Sequence, residues 1–356
     1  MTTSTIHTGA TISEFREGFF SLVAQAQSIV ITAHMSPDDD SIASVLSMYT
    51  ILTKKYSDKK IQVIYTGETV ERYNIFSYFD QITFVDDISN HLDGVDTLIL
   101  LDVCKYSRSS NFPDVLSQVP TRICIDHHAS PPAEFSLALI EPTYSSNAEL
   151  IYKALDAEKY IDKPLAELFL LGILGDTGNL TFVDGAQTEV FLIVKKLVEI
   201  ANVRIDSFLS RYRTIPKRIM PLLQEFVKNT KYIDILGWPT MQYSFVERSF
   251  AETGGYSDED MSAASHIYMG QYLPRIEKQE WGVVFSPRSD GGVRMSSRSM
   301  SGSVNVRVLS ESLGVGGGHD RASGANFKSE EGTPVEIDFC IQTVLDFMKN
   351  NKPVLS

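Results

Sequence analysis

Four stretches of this chain end in groups that can hold a divalent cation or move a proton: His34, Asp38 and Asp40; Asp102; Asp126, His127 and His128; and Asp176. Carboxylate oxygens with neutral imidazole nitrogens suit manganese, magnesium or zinc, and a shared carboxylate allows two such ions roughly 3.5–4 Å apart. Paired ions activate a bridging water and neutralise charge on a phosphoryl group, so phosphate-ester hydrolysis is the chemistry this set would perform. Any one stretch is weak, because aspartates at strand ends and paired histidines in polar turns are common. Their recurrence is the signal. If 127 and 128 continue an extended segment, their side chains point to opposite faces and the two imidazoles do different jobs.

The elements that must position these groups can be read from pattern. Short runs rich in β-branched residues over 28–33, 97–101 and 121–125 lead directly into His34, Asp102 and Asp126, as buried strands would. Further strands are expected over 62–65, 82–85 and 137–140. A capping box at Thr11 and Glu14 opens a first helix, and helices are expected over 42–56 with Ser41 as N-cap, 147–157, 164–174 and 188–200. This alternation predicts an α/β fold with a mainly parallel, doubly wound sheet, whose ligand sites lie beyond the carboxyl ends of its strands. Asp176 then falls at a helix C-terminus, where the dipole disfavours a carboxylate unless a cation compensates it.

The rest of the chain reads as a helical connector and a smaller α/β domain, giving divisions at 1–195, 196–230 and 231–356. The connector concentrates Arg211, Arg213, Lys217, Arg218, Lys228 and Lys231, which reads first as a solvated helix face. Beyond it, strands are expected over 232–236, 240–245, 281–285 and 293–297, with a turn over 288–292 between the last two. Helices are expected over 258–269, 304–313 and 335–349. Between the last two helices lies Gly316-Gly317-Gly318-His319, a loop whose backbone N–H groups could approach an anion with no Cβ in the way. Arg294 and Arg298 are cations on or just past a strand.

Composition bounds the rest. The chain has 356 residues, 43% hydrophobic and 22% charged, with no low-complexity tract, which fits a folded two-domain protein. Cys104, Cys124 and Cys340 form no C-x-x-C pair and read as buried thiols in a reducing compartment. The first ten residues lack a basic and an apolar region, and no apolar run is long enough to cross a bilayer, so a cytoplasmic protein without a membrane partner is expected. A net charge of −13 argues against a surface for duplex nucleic acid.

The motifs, taken together, resemble the DHH-family phosphoesterases, specifically the two-domain subgroup of nanoRNase/pAp phosphatases and cyclic-dinucleotide phosphodiesterases. The residues that carry the likeness are His34-x-x-x-Asp38-x-Asp40, Asp102 with Arg108, Asp126-His127-His128, Ser145-Ser146-x-Ala148-Glu149 and Asp176-Thr177-Gly178, followed by Ser296-x-Arg298-Ser299, Val304-Asn305-Val306 and Gly316-Gly317-Gly318-His319. The resemblance implies two Mn2+ ions, with Mg2+ or Co2+ as substitutes. It assigns His34, Asp38 and Asp102 to one ion, Asp40, Asp102, His127 and Asp176 to the other, and the bridging role to Asp102. His128 would face the scissile phosphate with Asp126 behind it. Arg108, Arg298, Ser299, His319 and the Gly316, Gly317 and Gly318 amides would grip the nucleotide in an interdomain cleft. Three departures bear on specificity: Lys105 where many relatives are acidic, Pro131 where an asparagine is frequent, and Asp39, which makes the first loop unusually acidic.

The expectation is a manganese-dependent phosphoesterase acting on 3′-phosphoadenosine 5′-phosphate (pAp) or very short oligonucleotides, with a homodimer as the assembly to be tested. Cleavage of cyclic or linear dinucleotides of the cyclic di-AMP type is the runner-up. An idle nucleotide-binding protein would have lost a ligand, yet every ligand position is filled, and a processive exonuclease would need an added oligonucleotide-binding segment.

Overall fold

Apolar β-branched runs alternate with amphipathic stretches through the first unit, Met1–Thr214, and each becomes a strand or a helix. In the computed structural model of the protein, which describes residues 11–129, 132–314, 316–328 and 333–356, the order is α1 (Ile12–Gln25), β1 (Ser28–Thr32), α2 (Asp39–Lys55), β2 (Lys60–Thr66), β3 (Ile82–Val85), β4 (Thr97–Leu101), α3 (Pro113–Ser117), β5 (Thr121–Asp126), β6 (Leu137–Ile140), α4 (Asn147–Ala154), α5 (Lys163–Asp176), α6 (Glu189–Ala201) and α7 (Ile205–Ser210). The six strands run in the order β3-β2-β1-β4-β5-β6, and every pairing is parallel. The chain therefore reverses its direction of travel across the sheet between β1 and β4, the switch point at which doubly wound sheets open a crevice. Every residue of β1 and β4 is buried, as strands covered on both faces should be. The capping box at Thr11 forms, and Phe15, Phe19 and Val23 of α1 bury completely, each contributing about 1.5–3 kcal/mol over exposure.

The start of α2 differs from expectation. Asp38, not Ser41, is the N-cap, accepting from the Ser41 amide at 2.9 Å. Both residues have side chains suited to a cap, and Asp38 wins because the Ser41 hydroxyl, at the third helical position, accepts in return from the Asp38 amide. The stretch expected to be one helical connector is interrupted after α7, with Pro216 in the break. Most of its cations are exposed, as a solvated face would be, although Arg211 pairs with Glu167 at 3.2 Å and Arg218 with Asp260 at 2.8 Å; the exception is the partly buried Arg213, which pairs with Asp39 at 2.6 Å.

The second unit, Ile215–Ser356, contains α8 (Met220–Lys228), β7 (Lys231–Ile233), β8 (Met241–Phe245), α9 (Arg248–Gly254), α10 (Asp258–Gln271), β9 (Trp281–Pro287), β10 (Val293–Ser299), α11 (Val306–Ser312), β11 (Gly316–His319), β12 (Ala322–Phe327) and α12 (Ile337–Asn350). Its sheet runs β11-β12-β10-β9-β8-β7 and is antiparallel except at β8–β9. The turn over 288–292 closes the β9–β10 hairpin, with the Arg288 amide donating to the Gly292 carbonyl at 2.9 Å. The glycine run, expected as a loop, is a strand. Close approach explains two of its glycines, since a Cβ on Gly316 would lie 2.1 Å from the Gly324 carbonyl oxygen and one on Gly318 would lie 2.7 Å from that of Ala322. Among the described residues, no helix is long and apolar enough to cross a membrane.

Candidate metal centre

The carboxyl ends of β1, β4 and β5, the start of α2 and the end of α5 bring their polar residues to one place. His34, just past β1, has its Nδ1 at 2.9 Å from the Met35 carbonyl, which fixes the ring so that Nε2 presents its lone pair. That Nε2 lies 3.4 Å from Asp38 Oδ2 and 3.3 Å from Asp102 Oδ2. Asp38 thus uses one oxygen to cap α2 and turns the other inward. The Ser41 hydroxyl behind it accepts a hydrogen bond from Tyr65, whose buried phenol is 2.8 Å away.

His127 makes the second grouping. Its Nε2 lies 3.1 Å from Asp176 Oδ2, 3.5 Å from Asp102 Oδ1 and 3.8 Å from Asp40 Oδ2, while its Nδ1 faces the Tyr144 carbonyl at 3.3 Å. Asp40 is wholly buried and accepts from the first two amides of α4, those of Asn147 at 2.6 Å and Ala148 at 2.9 Å. A helix N-terminus is a natural seat for that charge. Asp176 is the last residue of α5, the unfavourable end for a carboxylate, and His127 is the cation-capable group it meets.

His128 belongs to a third grouping. Its Nδ1 is 2.7 Å from Asp126 Oδ1 and 3.5 Å from Asp102 Oδ1. The two imidazoles are not split to opposite faces, because β5 ends at Asp126 and both lie beyond the pleat, with ring centroids 4.5 Å apart. Asp102 is common to all three groupings or their neighbours, and its φ of 59° is a left-handed conformation rarely found outside glycine, asparagine and aspartate. Backbone strain of that kind gathers at functional sites. The Asp102 amide still donates to the Ile125 carbonyl at 3.0 Å, so the bend happens within the β4–β5 ladder.

The ligand atoms of Asp102, His127 and His128, of His34, Asp38 and Asp102, and of Asp40, His127 and Asp176 each lie within 4.8 Å of one another. Two atoms in this space, Asp102 Oδ1 and His127 Nε2, are buried without a hydrogen-bond partner among the described residues. A buried carboxylate oxygen and an imidazole nitrogen facing other carboxylates are costly unless a proton or a metal cation joins them. The donor set fits a hard divalent cation.

Electrostatics agrees. Burial, then the charges of Asp176 and Asp102, push the Asp40 carboxyl well above its usual range. Burial raises Asp176 as well, against the pull of His127. Burial favours neutral His34 and His127, but the carboxylates around them outweigh it and hold both well above the usual imidazole value. All four groups bind protons more tightly folded than unfolded. Their stabilisation is complete below the unfolded values, about 4 for the carboxyls and about 6.5 for the imidazoles, and is lost as pH rises through the raised folded ones. The chelator-treated protein should therefore lose thermal stability as pH rises above the unfolded values, the imidazole part of the loss setting in beyond about 6.5. Mn2+, which displaces those protons, should raise the melting temperature more at higher pH. Scanning calorimetry with and without Mn2+ checks this, and a metal increment independent of pH would contradict it.

Other residues singled out by sequence are not all drawn together. Arg108 ends a short turn after Asp102, and its carbonyl accepts from the Met35 amide at 2.7 Å, which lays that turn beside the His34 loop. Arg298 and Ser299 end β10 in the second unit. Arg298 donates to the Ser297 carbonyl at 3.0 Å, and burial, then Arg294, depress its usual basicity. The Ser299 hydroxyl is buried with no partner. Gly316, Gly317, Gly318 and His319 form the edge strand β11; the His319 side chain and Pro131 lie outside the described residues.

Sequence reading missed two supporting residues. Asn147, with its amide turned to satisfy both ends, donates to the Ile125 carbonyl and accepts from the Ser44 hydroxyl and from the Asp102 amide at 3.1 Å. Burial and then Asp126 push the Cys104 thiol up to about 12, leaving it a protonated donor toward that carboxylate. Asn147 was visible only as the variable position of the Ser145-to-Glu149 motif, and Cys104 only as a buried thiol. All three cysteines are indeed buried thiols.

Residues 28–173 match the model of the DHH family, N-terminal domain. The chain is 25% identical over 303 residues to the probable bifunctional oligoribonuclease and PAP phosphatase NrnA of Streptococcus mutans, covering 84% of this chain and 89% of that one. It is 24% identical to the cyclic-di-AMP phosphodiesterase PdeA of Listeria monocytogenes, covering 84% of this chain and 44% of that one. A probable manganese-dependent inorganic pyrophosphatase of Lactococcus lactis is 27% identical, over 51% of this chain and 58% of its own. In fold, the chain is similar to an exopolyphosphatase-related protein from Bacteroides fragilis, at a TM-score of 0.80 and 21% identity, covering 96% of this chain and 98% of that one. The candidate ligand positions at the switch point and the domain matched around them agree: over residues 28–173 this chain carries a domain that matches the DHH family, N-terminal domain.

Proposed function

We propose that this protein is a manganese-dependent phosphoesterase that hydrolyses pAp and very short oligoribonucleotides to mononucleotides. The observation that carries the reading is the meeting at Asp102 of overlapping aspartate and histidine groups, with two buried ligand atoms otherwise unpartnered. In this reading His34, Asp38 and Asp102 hold one ion, Asp40, Asp102, His127 and Asp176 the other, and Asp102 bridges. The two ions, when bound, would supply an activated water and neutralise charge on the phosphoryl oxygens. His128, steadied by Asp126, would hold its second ring nitrogen toward the scissile phosphate. Arg108, Arg298, Ser299, His319 and the amides of Gly316, Gly317 and Gly318 would take the nucleotide. Arginine, with its planar fork, suits a phosphate oxygen pair.

The overall charge of −13 favours short substrates, since a long strand needs an extended basic groove. The likeness to NrnA over most of both chains favours pAp and short RNA, while that to PdeA keeps cyclic di-AMP as the second reading. A cytoplasmic, membrane-independent enzyme is part of the proposal, and light scattering tests the homodimer.

The test is product formation by chelator-stripped protein resupplied with Mn2+, offered pAp, a diribonucleotide, a longer RNA and cyclic di-AMP in parallel. AMP from pAp and mononucleotides from the dinucleotide are expected. Turnover of cyclic di-AMP alone would replace this reading with the second. Arg298→Ala should raise KM about tenfold with a smaller change in kcat, as loss of a phosphate contact does; an unchanged KM would remove Arg298 from the substrate site.

A further inference from the structure

Asp39 sits between two of the ligand positions yet turns away from them. It is 8% exposed, and its carboxylate accepts from three donors: Arg72 Nη2 at 2.9 Å and the Tyr73 hydroxyl at 2.7 Å on one oxygen, Arg213 Nη2 at 2.6 Å on the other. Arg213 also donates through Nη1 to Asn179 at 2.7 Å and reaches the Leu174 carbonyl at 3.4 Å. It therefore straddles Asp176 along the chain. Gly175 packs directly on Asp39, since a Cβ there would fall 2.5 Å from the Asp39 Cβ. Tyr212 and Phe208 pack on Phe76, holding the segment that carries Arg213 against the one that carries Arg72. Two guanidiniums thus meet on one carboxylate whose chain neighbours, Asp38 and Asp40, are candidate metal ligands, and one of them also bonds on either side of Asp176 in the chain.

We propose that Asp39 is a positioning residue that sequesters Arg72 and Arg213, keeping these cations off the neighbouring ligand carboxylates so that divalent metal can occupy them. This rests on the metal-centre reading above. A third aspartate beside Asp38 and Asp40 would otherwise be a buried like charge of no use; with two arginines on it, it becomes the counter-ion that decides where they point. If Asp39 is neutralised, Arg213 is left a cation whose other partners, Asn179 and the Leu174 carbonyl, flank Asp176 in the chain, and it would compete with the metal there. Removing Arg213 as well restores the local charge and removes the competitor.

The experiment is Mn2+ titration by calorimetry on the chelator-stripped full chain, with melting temperatures of the metal-free forms recorded alongside. Four proteins are compared: wild type, Asp39→Asn, Arg213→Met and the double variant. Asp39→Asn is expected to weaken Mn2+ binding about tenfold, the size of one uncompensated charge at partly screened distance. The double variant should return to within about threefold of wild type, even if its melting temperature stays low. A merely structural clamp gives the opposite pattern, in which the melting temperature falls and affinity is either unchanged in Asp39→Asn or not recovered in the double variant; either result overturns the proposal. Wild-type protein that binds no Mn2+ would instead sink the metal-centre reading itself, and the role of Asp39 with it.

Discussion

Asp102→Asn should reduce kcat/KM for the preferred substrate by about 10³-fold or more, a loss of roughly 4 kcal/mol of transition-state stabilisation, while leaving the metal-free protein folded. The substitution is close to isosteric, and asparagine tolerates the left-handed backbone that Asp102 adopts at φ 59°. What it removes is the charge shared between the His34 side, at 3.3 Å, and the His127 side, at 3.5 Å. No neighbour can replace it, because Asp38 and Asp40 already divide their oxygens between the site and the starts of α2 and α4. The metal-free variant should stay folded, since removing the Asp102 charge relieves repulsion on Asp40 and Asp176 while forfeiting its attraction for His34 and His127. Steady-state kinetics with Mn2+ and a chelated melt decide it. Activity within tenfold of wild type would end the bridging assignment.

What could be read in advance was set by local rules. The ligand positions stood out because β-branched runs end abruptly in aspartate or histidine, and a doubly wound sheet places such ends together. The matched domain and the all-parallel sheet bear out the doubly wound fold. What could not be read was decided by contacts distant in sequence or by equal local choices. The Asp39–Arg213 pair joins residues 174 positions apart, so nothing near Arg213 distinguished it from a solvated cation. Asp38 and Ser41 both make good caps, and only the reciprocal hydrogen bond chose between them. Glycines carry no strand preference, so β11 is specified by the room beside β12 rather than by its own residues. The facing of His127 and His128 turned on where β5 stops, a boundary that periodicity does not locate.

The same dependence on distant packing makes Gly172→Ala a severe substitution where helix propensity alone predicts a gain of up to about 1 kcal/mol. Gly172 lies inside α5, where its backbone is pressed against α2 and α4. A Cβ there would come within 2.5 Å of the Ala148 Cβ, 2.6 Å of Asp40 Oδ1 and 2.9 Å of the Ala43 Cβ. None of these can swing aside: the alanines sit on packed helices, and Asp40 is held by two amides. The helices must part, at an overpacking cost of about 1–3 kcal/mol beyond the forfeited propensity gain. A fall in melting temperature of about 2–12 °C follows for a unit of this size. Because the obstructed oxygen belongs to Asp40, Mn2+ affinity should fall with stability, which separates this site from an ordinary core position. Gly185→Ala is the control, since its Cβ would meet nothing within 4 Å, and it should change neither quantity. Equal melting temperatures and Mn2+ affinities for Gly172→Ala and wild type would show that α5 is not what holds Asp40 in the metal centre.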